Sequence, residues 1–164
     1  MDLLVISAGV GFINPDLAWD PEQETLAVNV MGFAAVAGFG MRLFMRQGAG
    51  HLVGISSVAA YRGNGAAPAY NASKAFVSNY LEGLRQKAFK AGIPVHVTDV
   101  KPGFVKTAMA KGEKLFWVAP LERAASQIYA AIHHQKPHVF ITRRWFLIAW
   151  LLRFLPFRVY RYFG

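Results

Sequence analysis

Short runs of apolar residues alternate with longer apolar or amphipathic stretches along this chain of 164 residues. A short apolar run bounded by glycine, proline or polar residues predicts a buried β-strand, and a long stretch predicts a helix. The predicted strands are residues 3–6, 52–55, 95–100 and 139–142, and the predicted helices are residues 21–47, 69–91 and 120–134. Strands that lack polar alternation are typical of a parallel sheet covered by helices on both faces. We therefore predict an α/β fold: a partial doubly wound, Rossmann-like parallel sheet of about four strands.

The predicted helix at residues 21–47 is unusually apolar. It begins near Pro21, and Glu22 and Glu24 lie in its first turn, where carboxylates favour the positive end of the helix dipole. From residue 25 to residue 41 almost every side chain is small or apolar. A helix that is apolar all round is normally buried on most of its sides, and we predict such burial here.

Composition narrows the possible classes of protein. Hydrophobic residues make up 54% of the chain and aromatic residues 14%, which excludes an intrinsically disordered protein. The chain has no cysteine, which excludes disulfide scaffolds and thiolate metal sites. The adjacent pair His133 and His134 has no carboxylate or third histidine beside it, so we predict no metal site.

The excess of positive charge lies in the last two fifths of the chain. Residues 101–164 hold eleven basic and two acidic side chains, whereas residues 1–100 hold seven of each. A basic region raises nucleic acid as a partner. No helix-turn-helix, zinc-finger or aromatic RNA-binding motif accompanies the charge, and we predict no nucleic-acid binding.

The segment 143–164 combines five arginines with eight aromatic residues and no acidic residue. This composition is typical of a segment in a membrane interface, and packing as an oligomer-closing helix is the alternative. Its uncharged run, residues 145–152, is shorter than the roughly 20 residues of a membrane-spanning helix. The chain begins Met-Asp-Leu-Leu, without the basic region of a secretory signal. We predict a cytoplasmic protein with peripheral membrane contact through this segment, which is separate from a domain at 1–142.

Candidate chemistry lies where the predicted strands end. Tyr70 and Lys74 are four residues apart, on one face of a predicted helix, and Ser57 follows the second predicted strand. Ligands bind at the carboxyl ends of strands in open α/β sheets. An ammonium stabilises a nearby phenolate and lowers the pKa of the phenol, which can then exchange a proton with a carbonyl or alcohol oxygen. A serine hydroxyl can hold the same oxygen, but the Tyr-x-x-x-Lys spacing alone also occurs by chance.

Five segments in chain order together resemble the short-chain dehydrogenase/reductase family. They are Ser7-Ala8-Gly9, Asn29, Ile55-Ser56-Ser57, Tyr70-x-x-x-Lys74 and Pro102-Gly103-x-Val105-x-Thr107. The resemblance covers most of residues 1–142, as the C-terminal part of such a domain. It implies an enzyme that interconverts a carbonyl and an alcohol by hydride transfer, with NADP or NAD as cofactor, a small-molecule substrate and a homo-oligomeric assembly. If segment 143–164 binds a membrane, a lipid-like or hydrophobic carbonyl is the natural substrate class.

The resemblance also implies a role for each matched residue. Tyr70 would be the general acid/base, and Lys74 would lower its pKa and bind the nicotinamide ribose. Ser57 would orient the substrate oxygen. Asn29 would support a water that relays protons to Lys74, and its alternative role is that of a residue at a helix bend.

Cofactor contacts are implied at both ends of the resemblance. Gly9 would lie close to the adenosine side of the dinucleotide. Thr107 and Val105, with the backbone of Pro102 and Gly103, would contact the nicotinamide carboxamide. Residues 104–117 resemble the variable substrate lid of the family.

The chain departs from the family in one large respect. Members begin with a strand, a glycine-rich TGxxxGxG turn and two further strand–helix units, which bind the pyrophosphate at a helix N-terminus. The chain has no such turn, and its Gly-x-Gly sequences at residues 9–11, 38–40 and 63–65 are better interpreted as structural. We expect a longer enzyme that has about 80 further residues, and poor dinucleotide binding by these 164 residues alone. The alternative is an inactive fragment, or a dimerisation or membrane-associated module.

Overall fold

The computed structural model describes residues 1–107 and 116–162. Four parallel strands form one sheet in the order β1-β2-β3-β4. The strands are β1 (Leu3–Ile6), β2 (Gly50–Ile55), β3 (Val95–Pro102) and β4 (His138–Ile141). The predicted α/β class and the predicted number of strands are confirmed, with β2 and β3 each extended by two residues.

The helices cover both faces of the sheet, also as predicted. They are α1 (Trp19–Leu26), α2 (Phe33–Gln47), α3 (Pro68–Ala91), α4 (Leu121–His133), α5 (Trp145–Phe154) and α6 (Phe157–Tyr160). A π-helical stretch, Ala27–Gly32, joins α1 to α2, so that the predicted helix 21–47 is one continuous helical stretch with an irregular middle. Such irregular turns are rare and frequently occur at functional sites.

The strands are apolar without alternation because both of their faces are covered. Successive side chains of a strand point to opposite faces. Leu52 packs with Phe44 of α2 and Leu81 of α3 on one face, and the next residue, Val53, packs with Ala124 of α4 on the other. Two cores therefore flank one sheet, and its carboxyl edge remains available for a site.

The prediction that helix 21–47 is buried on most sides is wrong. Only one stripe of α2, which includes Phe33, Ala37 and Phe44, packs against the sheet and α3. On the outer side, Met31 is 71% exposed and Phe39 is 58% exposed. By length and apolarity, Trp19–Gln47 is the one helical stretch of the described residues that could cross a membrane. A core helix passes the same test, and this stretch has an inner side packed as a core helix and an outer side that is apolar and uncovered.

Candidate active site

Ser57 lies where the carboxyl ends of β2 and β3 meet. Its hydroxyl donates a hydrogen bond to the carbonyl of Pro102, at 3.3 Å, and accepts one from the backbone nitrogen of Ala59, at 3.1 Å. The second bond caps the short 3₁₀ turn Val58–Tyr61. The serine is thereby fixed between the end of one strand and the start of a turn, as predicted for a residue at this edge.

Tyr70 and Lys74 come to the same place from α3. Tyr70 lies in the first turn of this helix, and its phenol is close enough to Ser57 for the serine hydroxyl to act on the pKa of the phenol. Lys74 is one turn further on, with its Nζ atom 5.7 Å from the centre of the Tyr70 ring. Nζ also donates to the carbonyl of Ile55, at 3.1 Å, just before the serine pair. The structure therefore brings Ser57, Tyr70 and Lys74 together, although 13 residues of chain separate the serine from the tyrosine.

Burial controls the protonation of both titratable groups. It raises the pKa of Tyr70, and the interaction with Ser57 acts in the opposite direction without reversing the shift. Burial also lowers the pKa of Lys74 to about 8, with the charge of Asp99 acting to raise it. The sequence-based expectation of a lowered pKa for Tyr70 is therefore wrong for the protein alone, because desolvation of the phenol outweighs the opposing effect of Ser57.

Asn29 lies in the π-helical stretch, and its side chain is fully used by protein contacts. Its oxygen accepts from the backbone nitrogen of Val10, at 2.9 Å, and its nitrogen donates to the carbonyl of Val10, at 2.8 Å. The same nitrogen donates to the hydroxyl of Ser73, at 2.9 Å. Asn29 thus ties the loop after β1 to α3 directly beside Lys74. Its predicted role in a proton relay stays a prediction.

Two glycines let the loop after β1 lie directly on the Tyr70–Lys74 pair. A Cβ atom at Gly9 would lie 3.2 Å from Nζ of Lys74 and 3.3 Å from Oδ1 of Asn29. A Cβ atom at Gly11 would lie 2.6 Å from the ring of Tyr70. Gly9 was predicted as a cofactor contact, and the structure places it beside the lysine. Sequence reasoning missed the closeness of Gly11 to the site, although a Gly-x-Gly sequence directly after a strand was the available signal.

The remaining predicted cofactor residues follow β3. Pro102 contacts Ser57 as described, and the backbone nitrogen of Gly103 donates to the carbonyl of Ile141, at 2.8 Å. Val105 forms an isolated parallel bridge with Ala119. Thr107 is exposed, and its hydroxyl donates to the carbonyl of Val105, at 3.3 Å. These contacts place Pro102 at the site, and the cofactor roles of all four residues stay predictions. Of the predicted lid, residues 108–115 lie outside the described residues.

Comparisons with known proteins indicate the family of the chain. The family profile described as short chain dehydrogenase matches residues 1–115. An uncharacterised oxidoreductase of Myxococcus xanthus is 40% identical over 111 residues, which cover 66% of this chain and 43% of that protein. An uncharacterised oxidoreductase of Mycobacterium tuberculosis is 29% identical over an alignment of 170 residues, which covers 100% of this chain and 66% of that protein.

Solved structures show the same fold. A short chain dehydrogenase from Burkholderia cenocepacia in complex with NADP has a TM-score of 0.81 at 24% identity, over 98% of this chain and 70% of that chain. A short-chain dehydrogenase from Sphingobium yanoikuyae in complex with NADPH has a TM-score of 0.78 at 19% identity, over 90% of this chain and 61% of that chain. The present chain spans about half the length of the curated relatives that it matches. The matched residues include the three side chains that meet at the sheet edge, and the chain belongs to the short-chain dehydrogenase family.

Proposed function

We propose that the protein is an NAD(P)-dependent oxidoreductase that interconverts a carbonyl and an alcohol, with Tyr70 as its general acid/base. The observation that carries this proposal is the convergence of the Tyr70 phenol, the Ser57 hydroxyl and the Lys74 ammonium at one edge of the sheet. Membership in a family of oxidoreductases supports it. No contact among the described residues specifically favours the alternative of a non-catalytic module.

In the direction of carbonyl reduction, Ser57 and Tyr70 act on the carbonyl oxygen, and Lys74 acts on Tyr70. The hydroxyl of Ser57 donates a hydrogen bond to the carbonyl oxygen. Tyr70 gives its phenolic proton to that oxygen as negative charge develops on it. Since burial raises the pKa of Tyr70, the phenol is protonated at neutral pH and ready to donate. The ammonium of Lys74 then stabilises the phenolate that remains.

The residues around Lys74 fit the ribose half of a nicotinamide dinucleotide. An ammonium has three N–H donors, and Nζ of Lys74 uses one of them on the carbonyl of Ile55. A Cβ atom at Gly9 would lie 3.2 Å from the same atom, so the lack of a side chain lets the loop after β1 lie against the lysine without crowding its ammonium. When bound, the dinucleotide supplies hydride to the carbonyl carbon, and Tyr70 supplies the proton that completes the alcohol. The two related structures that carry NADP or NADPH support this choice of cofactor.

The test compares two tyrosine variants in the longest protein encoded by the reading frame that contains this chain. We expect Tyr70→Phe to lower the kcat of carbonyl-dependent NADPH or NADH oxidation by roughly 100-fold or more, while the affinity for the dinucleotide changes little. Tyr129→Phe is the matched control, because Tyr129 is exposed on α4 and should leave kcat unchanged. Full activity of Tyr70→Phe, or no activity of the parent protein with any aldehyde or ketone of a broad panel, contradicts the proposal.

We also propose that the protein is a homo-oligomer. The outer side of the helical stretch Trp19–Gln47 and the end of α3 carry large exposed apolar side chains, among them Met31, Phe39 and Phe89. A second copy of the chain would cover this apolar surface. Light scattering after size-exclusion chromatography should give the mass of a dimer or larger assembly, and Phe39→Ser should reduce it, whereas a monomer at micromolar concentration contradicts the proposal.

We further propose that the protein is cytoplasmic and that its tail, residues 143–162, binds peripherally to the surface of an anionic membrane. One stripe of α5 is exposed and wholly apolar, and it consists of Phe146, Leu147, Trp150, Leu151 and Phe154. Trp145 and Ala149 on the opposite side are buried. All five arginines of the tail are exposed and no acidic residue accompanies them, which complements anionic lipid headgroups.

Two contacts attach the tail to the loop between Ser57 and Tyr70. Arg62 donates to the carbonyl of Leu155, at 2.5 Å, and the hydroxyl of Tyr160 donates to the carbonyl of Gly63, at 2.6 Å. A membrane bound by the tail would therefore lie close to the entrance of the site, and this favours a lipid-like or hydrophobic carbonyl as substrate.

Flotation with liposomes tests this membrane proposal. We expect the protein to float with vesicles that contain phosphatidylglycerol and to remain at the bottom with pure phosphatidylcholine. The variant Trp150→Ser/Leu151→Ser should lose flotation, while Leu121→Ser, an equally exposed apolar site on α4, should retain it. Absence of flotation with anionic vesicles contradicts the proposal, as does a double variant that floats normally.

A further inference from the structure

A buried ion pair lies behind the candidate active site, between the sheet and α3. Asp99 and Lys101 are two residues apart on β3, so their side chains point to the same face, and they form a salt bridge. Asp99 is 3% exposed and Lys101 is 6% exposed. Ser56 donates a hydrogen bond to the carboxylate of Asp99, and Ser78 of α3 donates another at 2.7 Å. Lys101 in turn donates to the hydroxyl of Ser78, at 2.6 Å.

Three members of this network lie close in the chain to a residue of the site. Ser56 directly precedes Ser57. Lys101 directly precedes Pro102, whose carbonyl accepts the hydrogen bond of Ser57. Ser78 is four residues after Lys74, one turn further along the same face of α3. The four side chains therefore connect the ends of β2 and β3 to the helix that carries the tyrosine and the lysine.

Stability alone does not account for such a pair. Replacing a buried ion pair by apolar residues of similar volume is often neutral or stabilising, because two charges must be removed from water. A buried polar network in which every group has a partner does make a structure rigid and specific. In this network, both oxygens of Asp99 and the ammonium of Lys101 have partners among the described residues.

We propose that Asp99 and Lys101 are positioning residues for the reaction: with Ser56 and Ser78, they hold Ser57, Lys74 and the end of β3 around the reacting oxygen. This inference rests on the proposed function. In this proposal, Asp99 and Lys101 contact neither substrate nor cofactor.

The charge of Asp99 also acts on the site through space. It favours the ammonium form of Lys74 and so opposes the burial that lowers the pKa of that lysine to about 8. Besides Asp99, the groups near Lys74 are the ring of Tyr70, the amide of Asn29 and the carbonyl of Ile55. The titratable groups that Asp99 influences or pairs with are Lys101 on β3, Lys74 and Arg85 on α3, His138 on β4, and Tyr61 in the turn after β2.

This second effect gives the proposal a specific readout. In alcohol oxidation Tyr70 must accept a proton, so the rate rises with pH through a value that belongs to the coupled tyrosine–lysine pair. Without Asp99, the pKa of Lys74 falls further and fewer molecules carry the ammonium near pH 8. The phenolate of Tyr70 is then less stabilised, and the rising part of the pH profile moves to higher pH. A purely structural role would leave its position unchanged.

The experiment uses the double variant Asp99→Asn/Lys101→Met in the longest protein of the reading frame. The double variant removes both charges together, so no unpaired charge is left buried, and asparagine still accepts from the two serines. We expect the rising limb of kcat for alcohol oxidation to move up by about one pH unit, which corresponds to a roughly tenfold lower kcat on that limb. The KM for the alcohol should change less than kcat does.

Thr98→Val is the matched control. Thr98 is buried next to Asp99 but points to the opposite face, where its hydroxyl donates to the carbonyl of Lys136, at 2.6 Å. This variant should lower the melting temperature and leave the pH profile in place. A folded double variant whose profile coincides with that of Thr98→Val overturns the proposal. If the parent protein has no oxidoreductase activity at all, it is the proposed function that fails.

A second variant covers the case in which the double variant does not fold. Ser78→Ala removes the hydroxyl that bridges the two charges and leaves both charges paired. We expect kcat to fall about two- to fivefold with an unchanged KM for the dinucleotide, as for the loss of one ordinary hydrogen bond. An unchanged kcat in Ser78→Ala overturns the positioning role.

Discussion

The side-chain amide of Asn29 donates a hydrogen bond to the hydroxyl of Ser73, across 44 positions of the chain. Asn29 is 1% exposed, and it also makes two hydrogen bonds to the backbone of Val10. This one side chain thereby joins the loop after β1, the π-helical stretch and α3, the helix that carries Tyr70. The site therefore depends on Asn29 for its structure, independently of any role of this residue in proton transfer.

Asn29→Ala should consequently destabilise the protein. It leaves the backbone N–H and C=O of Val10, which is half-buried, without partners, and each such group costs about 1–3 kcal/mol. We expect a total loss of a few kcal/mol and a clear fall in melting temperature, measured by circular dichroism. Asn79→Ala, at an exposed position on α3, is the control and should melt normally. Equal melting temperatures for the two variants contradict this account of Asn29.

Lys74→Met should make the protein more stable and less active. Burial lowers the pKa of Lys74 from 10.5 to about 8, so the folded state disfavours its proton, and this costs about 3 kcal/mol of stability below pH 8. The cost disappears as the pH rises from about 8 to about 10.5, because the unfolded chain binds the proton over that window and the folded chain does not.

Denaturant titrations at several pH values measure this effect. Lys74→Met should exceed the parent protein in free energy of unfolding at pH 7, and the difference should narrow above pH 8. Its kcat should fall by at least about 100-fold. A variant that is less stable than its parent at pH 7 would show that the contacts of the ammonium outweigh its desolvation.

Gly11→Ala should disturb the site without disturbing the core. The new methyl group would lie 2.6 Å from the Tyr70 ring, so the ring or the loop must move. Overpacking of this kind costs about 1–3 kcal/mol, and we expect kcat to fall by an order of magnitude or more. Gly83→Ala is the matched control, since a Cβ atom there meets nothing within 4 Å in the middle of α3. It should raise stability by up to about 1 kcal/mol and leave kcat alone.

The 164 residues on their own should bind nicotinamide dinucleotides weakly. They contain the groups that fit the ribose next to the nicotinamide, but no glycine-rich turn that would hold the pyrophosphate at a helix N-terminus. Isothermal titration of this chain with NADPH and NADH should give dissociation constants well above the micromolar range. Micromolar affinity would contradict the claim that tight binding needs a glycine-rich turn around the pyrophosphate.

The strands and the Tyr70–Lys74 pair could be predicted because their signals are local. Leu52 and Val53 are adjacent in the chain and both buried, which only a doubly covered strand allows. The spacing of Tyr70 and Lys74 fixes them on one helix face before any tertiary contact is known.

Other features depend on long-range packing and could not be predicted. Composition gave no indication of which side of α2 would remain uncovered, so the exposure of Met31 and Phe39 was missed. The direction of the pKa shift of Tyr70 depends on how deeply the phenol is buried, which no spacing reveals. Asp99 and Ser78 pair although they lie 21 positions apart in the chain, on different elements. Neither residue belongs to a recognisable motif.

The central claim is that Ser57 and Tyr70 act on a single ligand oxygen, while Lys74 supports Tyr70 and binds the ribose. A crystal structure of the longest protein of the reading frame, with a dinucleotide and a bound ketone or alcohol, tests it most directly. We predict that one ligand oxygen lies within about 3.2 Å of both the Ser57 and the Tyr70 hydroxyls, with Lys74 on a ribose hydroxyl. A ligand oxygen that contacts neither hydroxyl, or hydroxyls that face separate cavities, would contradict the claim.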